Sequence, residues 1–121
     1  MTLVIVAAAV FFLGMGIFAL VRPAGLIRPF GITLPVPESR AEVRAVYGGF
    51  GLAIAGMLCL AAADHPAREG ILLTVAAALG GMAFGRLVSG LVDRTTAFYP
   101  NWFYFLVEVV VGGALLWSAW G

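Results

Sequence analysis

The chain has 121 residues, is 63% hydrophobic and 11% charged, and has a mean hydropathy of +1.08, which excludes a soluble domain with a charged shell. Seven arginines against six acids leave a formal charge of +1, short of the basic excess that nucleic-acid binding requires. One cysteine, Cys59, permits no internal disulfide, and with one histidine, His65, it offers no zinc-type ligand set, so neither a metal nor a cofactor is expected.

A bilayer core about 30 Å thick needs roughly 20 apolar residues per helix. Four runs of that kind occur, at about 2–21, 41–63, 70–92 and 102–120. The first has no basic n-region and too long an apolar run for a secretory signal, and Val21-Arg22-Pro23 is a poor cleavage site, so it reads as a retained helix. The connection from Arg22 to Arg40 carries Pro23, Pro29, Pro35 and Pro37 and reads as an interfacial segment, with Leu26, Ile27 and Phe30 dipping into the headgroup region. A re-entrant loop is disfavoured because Arg22 and Arg28 flank it. Ser39 to Glu42 reads as a capping box opening the second helix. Pro66 and Pro100 stand where they start the third and fourth helices rather than interrupt them.

These elements predict an all-α integral membrane four-helix bundle, one transmembrane domain over 1–121, with an interfacial segment between helices 1 and 2. Arg22, Arg28, Arg40 and Arg94 fall on the side of the first and third connections, Arg44 lies just inside that side, and Arg68 lies opposite. The cytoplasmic side retains basic loops, which puts both termini outside. The arginine-only bases and abundant Ala, Gly and Val point to a GC-rich bacterial genome. The expected location is therefore the bacterial inner membrane, multi-pass, with periplasmic termini.

Two charges fall inside the apolar runs. Arg86 and Glu108 lie at matching depths, roughly 10 Å below the cytoplasmic boundary by helix rise. Either one facing lipid alone would cost on the order of 3 kcal/mol, so an Arg86–Glu108 ion pair between the third and fourth helices is the economical arrangement. Helical spacing puts Met82, Arg86, Ser89, Gly90 and Asp93 on one face, and Asn101, Tyr104, Glu108 and Gly112 on another. Arg44, Tyr47, Gly48 and Gly51 share a face of the second helix that starts at the same surface. The candidate ligand pocket is accordingly Arg44, Tyr47, Arg86, Ser89, Tyr104 and Glu108, with Glu42 and Asp93 as accessory polar groups. The structural alternative is that Arg44 snorkels, Glu42 only caps, Asp93 only ends a helix, and the buried pair fixes packing register without net stabilisation.

Ala45, Gly49 and Ala53 on the second helix, and Gly81, Gly85 and Ser89 on the third, keep a small-xxx-small spacing that allows close helix packing within the chain or against another membrane subunit. Cys59 and His65 read as incidental. Tyr47-Gly48-Gly49-Phe50-Gly51 lies within an apolar run and lacks the lysine and strand-to-helix context of a phosphate loop.

The stretch Glu42-Val43-Arg44-Ala45-Val46-Tyr47-Gly48-Gly49, then Gly85-Arg86-Leu87-Val88-Ser89, then Glu108, resembles the small bacterial membrane proteins of domain-of-unknown-function family 4345, related to the DoxX-like four-helix proteins. The resemblance covers nearly the whole chain. It implies a four-span bundle with Glu42, Arg44, Tyr47, Arg86 and Glu108 as candidates for a shared site, and it supplies no reaction.

The resulting expectation is a non-catalytic membrane protein whose Arg/Glu/Tyr pocket near the cytoplasmic side binds a small amphiphile or lipid. The alternative is an accessory or assembly subunit docking a larger membrane complex through its small-residue faces. Expected partners are the lipid bilayer, an amphiphilic ligand, and a membrane-protein partner or second copy. A proton-coupled transporter is disfavoured, since a carboxylate engaged by an arginine is a poor proton carrier. Catalysis on a lipid is disfavoured because no nucleophile–base pair is visible.

Overall fold

The computed structural model describes residues 2–94 and 98–121, which form helices and turns and, among the described residues, no strand. In chain order these are α1 (Thr2–Val21), a short α2 (Pro23–Ile27) followed by a 3₁₀ turn (Arg28–Phe30), α3 (Pro37–Ala62), α4 (Arg68–Val92) and α5 (Phe98–Trp120). Four of them, α1, α3, α4 and α5, are long and apolar enough to cross a membrane. The shortest, α1, has 20 residues and rises about 30 Å, the thickness of a bilayer core.

Three boundaries differ from those read in the sequence, each for a local reason. Val36 precedes a proline and is therefore held extended (φ −129°, ψ 159°), and Pro37, which has no N–H to satisfy, takes the first helical position. Ser39 and Glu42 consequently lie inside α3 and form no capping box. α4 begins at Arg68, after a turn in which Pro66 precedes the helix and the His65 ring is used: its Nδ1 accepts the Ala67 N–H at 3.0 Å, while its carbonyl accepts the Arg68 N–H at 2.9 Å. His65 is thus a turn-closing residue rather than incidental. α5 starts at Phe98, with its first turn broken at Tyr99 (φ −102°, ψ 133°) ahead of a cis Tyr99–Pro100 peptide.

α1 packs along α3, and α4 packs along α5; the two pairs then meet through α3 against α4 and α1 against α5. α1 buries Ile5, Ala8, Ala9, Phe12, Gly16 and Ala19, a stripe of three- and four-residue steps. On α3 the buried stripe is Val43, Gly48, Gly51, Ala55, Leu58 and Ala61, and its first step is five residues long. The backbone accounts for this step. Residues Arg44–Gly49 form a π-helical turn in which the Phe50 N–H reaches the Ala45 carbonyl, five residues back.

That extra residue decides which small side chains face α1. A Cβ on Gly16 would lie 2.9 Å from the Gly48 carbonyl oxygen, and one on Gly51 would lie 3.0 Å from the Phe12 carbonyl oxygen and 3.1 Å from the Gly16 Cα. The backbones touch there. Ala45, Gly49, Ala53, Gly81 and Gly85 are instead exposed, with open space beside Gly81 and Gly85, so the intrachain packing expected of these five is corrected: Gly16, Gly48 and Gly51 carry it.

The pairs share one core, which includes Ile5, Phe12, Leu58, Leu72, Leu79 and Leu115 and lies toward the end that holds both termini. Toward the other end a separate small cluster of Ala19, Ile27 and Val43, flanked by Leu26, Leu34 and Tyr47, belongs to the α1–α3 half. Ile27 is therefore buried in protein, not in headgroups.

At the terminal end Arg68 Nη2 donates to the Ser118 carbonyl at 3.2 Å, and Arg68 Nε lies 3.9 Å from Asp64 Oδ1. The base read from the sequence as the one standing opposite the others thus ties the start of α4 to the last turn of α5. Arg68→Met should lower the stability of the purified protein by about 1–2 kcal/mol, the lower part of the range for a hydrogen bond from a charged donor because the Arg68 side chain is partly exposed, measurable by thermal unfolding in detergent.

Candidate functional site

The stripes that pack α4 on α5 end in charge. On α4 the buried face runs through Leu72, Val75, Ala76, Leu79 and Ala83 and reaches Arg86 one step later. On α5 it runs back from Ser118 through Leu115 and Gly112 to Glu108. Gly112 allows the approach, since a Cβ there would already sit 3.3 Å from the Leu79 Cβ. The four-residue periodicity of both helices then brings Arg86 Nε and Glu108 Oε1 to 2.8 Å.

The pair is asymmetric in exposure. The Glu108 side chain is 4% exposed and that of Arg86 21% exposed, so the carboxylate is enclosed while part of the arginine side chain stays open. Asn101 Nδ2 donates to the Arg86 carbonyl at 3.3 Å, which attaches the start of α5 to the α4 backbone. Trp102 lies over Gly90, where a Cβ would run into the indole ring.

Two rings border the guanidinium. Arg86 Cζ is 5.4 Å from the Phe30 ring centre and 5.5 Å from that of Tyr104, and the two rings are 5.5 Å apart. Three nearly equal separations make a triangle, so both rings cover one flank of the guanidinium instead of sandwiching it; each is within cation–π range. Tyr99 packs on Tyr104 with ring centres 6.0 Å apart.

The structure brings together Arg86, Glu108 and Tyr104 of the residues selected from the sequence, and places the others elsewhere. Arg44 is exposed, and its Nε donates to the Leu20 carbonyl at 3.0 Å, satisfying an open acceptor in the last turn of α1. Tyr47 packs beside the Ala19–Ile27–Val43 cluster. Glu42, on α3, is exposed; on α4 and at its end Ser89, Asp93 and Met82 are exposed as well, because the face of α4 that meets α5 passes through Ala83, Arg86 and Gly90. The face that Arg44 and Tyr47 are expected to share with Gly48 and Gly51 meets α1 and not Arg86, and the π-helical turn alters the phase of the helix there.

Phe30, expected at the headgroup level, forms a wall of the site. It stands in a proline-rich connection, where no periodicity assigns a face. The only local signal was an aromatic residue directly after Arg28-Pro29.

Two apolar grooves lie apart from this site. One, of about 360 Å³, runs between α1 and α3 past Val6, Val10, Leu13, Leu52 and Cys59, and the other, of about 380 Å³, lies between α3 and α4 beside Ile54, Met57 and Thr74. Chemically, the Arg86 site offers a charged hydrogen-bond donor, a phenol hydroxyl and an aromatic flank, arranged around an enclosed carboxylate.

No curated protein and no solved structure matches the chain. A family profile does: the one described as "Domain of unknown function (DUF4345)" matches residues 1–119. With its match covering both helix pairs and the Arg86–Glu108 site between α4 and α5, the chain belongs to the DUF4345 family.

Proposed function

We propose that the protein is a non-catalytic, integral membrane four-helix bundle of the bacterial inner membrane, with both termini on the periplasmic side, and that its Arg86 site takes the hydrogen-bonding head of a small amphiphile. The observation that carries this reading is the unequal exposure of the ion pair. A pair that served packing alone would gain from enclosing both members, whereas here the Arg86 side chain remains one-fifth exposed, with its guanidinium beside the Phe30 and Tyr104 rings. An amphiphile's head would meet the donor there and its chain would lie along the apolar helices, so the ligand need not leave the bilayer. The arginines at the same end, Arg22, Arg28, Arg40 and Arg94, support a cytoplasmic placement of that end.

The test is to purify the protein in a mild detergent and identify co-purifying amphiphiles by mass spectrometry. Arg86→Lys keeps the charge but loses the planar fork, and it should retain at least fivefold less of the molecule enriched with the wild type. Equal retention by both, or enrichment of nothing over an unrelated four-helix membrane protein, would remove this reading.

A second reading, an accessory or assembly subunit of a larger membrane complex, is favoured by the outward-facing small residues Ala45, Gly49, Ala53, Gly81 and Gly85, which the chain does not use for its own packing. Crosslinking in the native membrane distinguishes it: a stoichiometric partner at these positions supports the subunit, and self-crosslinks alone argue against it.

A further inference from the structure

Five arginines cluster toward the end that carries Arg86, which invites the idea of a site for anionic heads. The geometry at the site itself says otherwise. Arg44, the second base that could have turned toward Arg86, is committed to the Leu20 carbonyl at 3.0 Å. Among the described residues the charged groups in contact at the site are one guanidinium and one carboxylate 2.8 Å from it, a formally neutral pair, while Arg28, on the turn that carries Phe30, is exposed and makes no ion pair there. Asn101 is spent on the Arg86 backbone, and Phe30 and Tyr104 add apolar surface and one hydroxyl, but no further positive charge.

An anionic head that approached Arg86 would come within a few ångströms of Glu108. In a medium of low effective dielectric its repulsion by that carboxylate offsets most of its attraction to the guanidinium, and a net negative charge would be left inside the protein. An uncharged head bearing ester, hydroxyl or amide oxygens meets no such repulsion. It still accepts a charge-assisted hydrogen bond from the exposed part of Arg86. Resting on the amphiphile-binding reading above, we propose that the site selects uncharged, oxygen-bearing amphiphiles over anionic ones, and that Glu108 is the residue that sets this selection by cancelling the charge of Arg86.

The test compares two probes of equal chain length, monolauroylglycerol and monododecyl phosphate, bound to the protein in dodecyl maltoside micelles and quantified by equilibrium dialysis. The wild type should prefer the glycerol ester by at least tenfold. Glu108→Gln, which keeps the shape and an acceptor oxygen but leaves the site with a net positive charge, should shift the ratio at least tenfold toward the phosphate. Glu108→Asp should keep the wild-type order. A wild type that prefers the phosphate, or a Glu108→Gln protein whose ratio is unchanged, overturns the selection while Arg86-dependent binding leaves the amphiphile site standing. If neither probe binds to the wild type or its variants above the level of empty micelles, the site reading falls, and the selection with it. Should Glu108→Gln fail to fold, the wild-type ratio alone decides.

Discussion

Arg86→Ala should destabilise the protein by about 3–5 kcal/mol, a large share of the roughly 5–15 kcal/mol that holds a small protein folded, because it leaves a buried carboxylate without its partner. Glu108 has a 4% exposed side chain and its hydrogen bond comes from Arg86 Nε at 2.8 Å, so removal of the guanidinium strands a charge that cannot reach water or headgroups. Glu108→Ala should cost less, since Arg86 is 21% exposed and its long stem lets the head move toward the surface. The double variant Arg86→Met, Glu108→Leu removes both charges together and should recover most of the loss. Chemical or thermal unfolding of the four proteins in one detergent checks the set. A double variant as unstable as Arg86→Ala would mean that the pair itself, and not the stranded charge, supplies the stability.

Gly51→Val should be the other severe change, with a loss of about 2–3 kcal/mol or failure to assemble α1 on α3. The obstacles to a Cβ at this position are the Phe12 carbonyl oxygen at 3.0 Å and the Gly16 Cα and N at 3.1 and 3.2 Å. All are main-chain atoms, which no rotamer change can remove. A small tilt would not relieve the substitution, because a Cβ built on Gly16 would itself lie 2.9 Å from the Gly48 oxygen and 3.0 Å from the Leu52 nitrogen, so main chain meets main chain on both sides of Gly51. Gly81→Ala and Gly85→Ala are the controls: open space surrounds both, so each should be at least as stable as wild type, with a gain of up to about 1 kcal/mol from the better helix propensity of alanine. Cysteine crosslinking between α1 and α3 in a Cys59→Ala background would show whether the helices separate. A Gly51→Val protein with wild-type melting temperature and crosslink yield would contradict the close contact.

These residues also show what the sequence makes legible. The four long helices follow from apolar runs of membrane length, and Arg86 with Glu108 from the cost of a lone charge at matching depth, because both depend on composition and a regular rise per residue. The face of α5 through Asn101, Tyr104, Glu108 and Gly112 follows from the same regularity. What the pattern does not convey is a change of period. One extra residue between Val43 and Gly48 exchanges the face with Gly49 and Ala53 for the face with Gly48 and Gly51, and that face meets α1, where Arg44 also finds its partner, and not Arg86. Nothing in Arg44-Ala45-Val46-Tyr47-Gly48-Gly49 forces a π turn by residue type alone; it is stabilised by the contact of Gly48 and Gly51 with α1, a tertiary effect. Phe30 is a similar case, since a residue in an irregular connection takes its place from packing, not from spacing.

The two hydrophobic clusters make one end of the molecule stiffer than the other. Where Ile5, Leu58, Leu72 and Leu115 interlock, all four long helices must separate together for any to move. Around Arg86 each pair has its own contacts, and the Arg28–Phe30 turn reaches across from one to the other. Among the described residues, Phe30 joins the pairs at that end through its ring contacts with Arg86 and Tyr104, so amide exchange should grade from slow near Leu58 and Leu72 to fast near Phe30, like a tuning fork whose tines vibrate while its stem stays still.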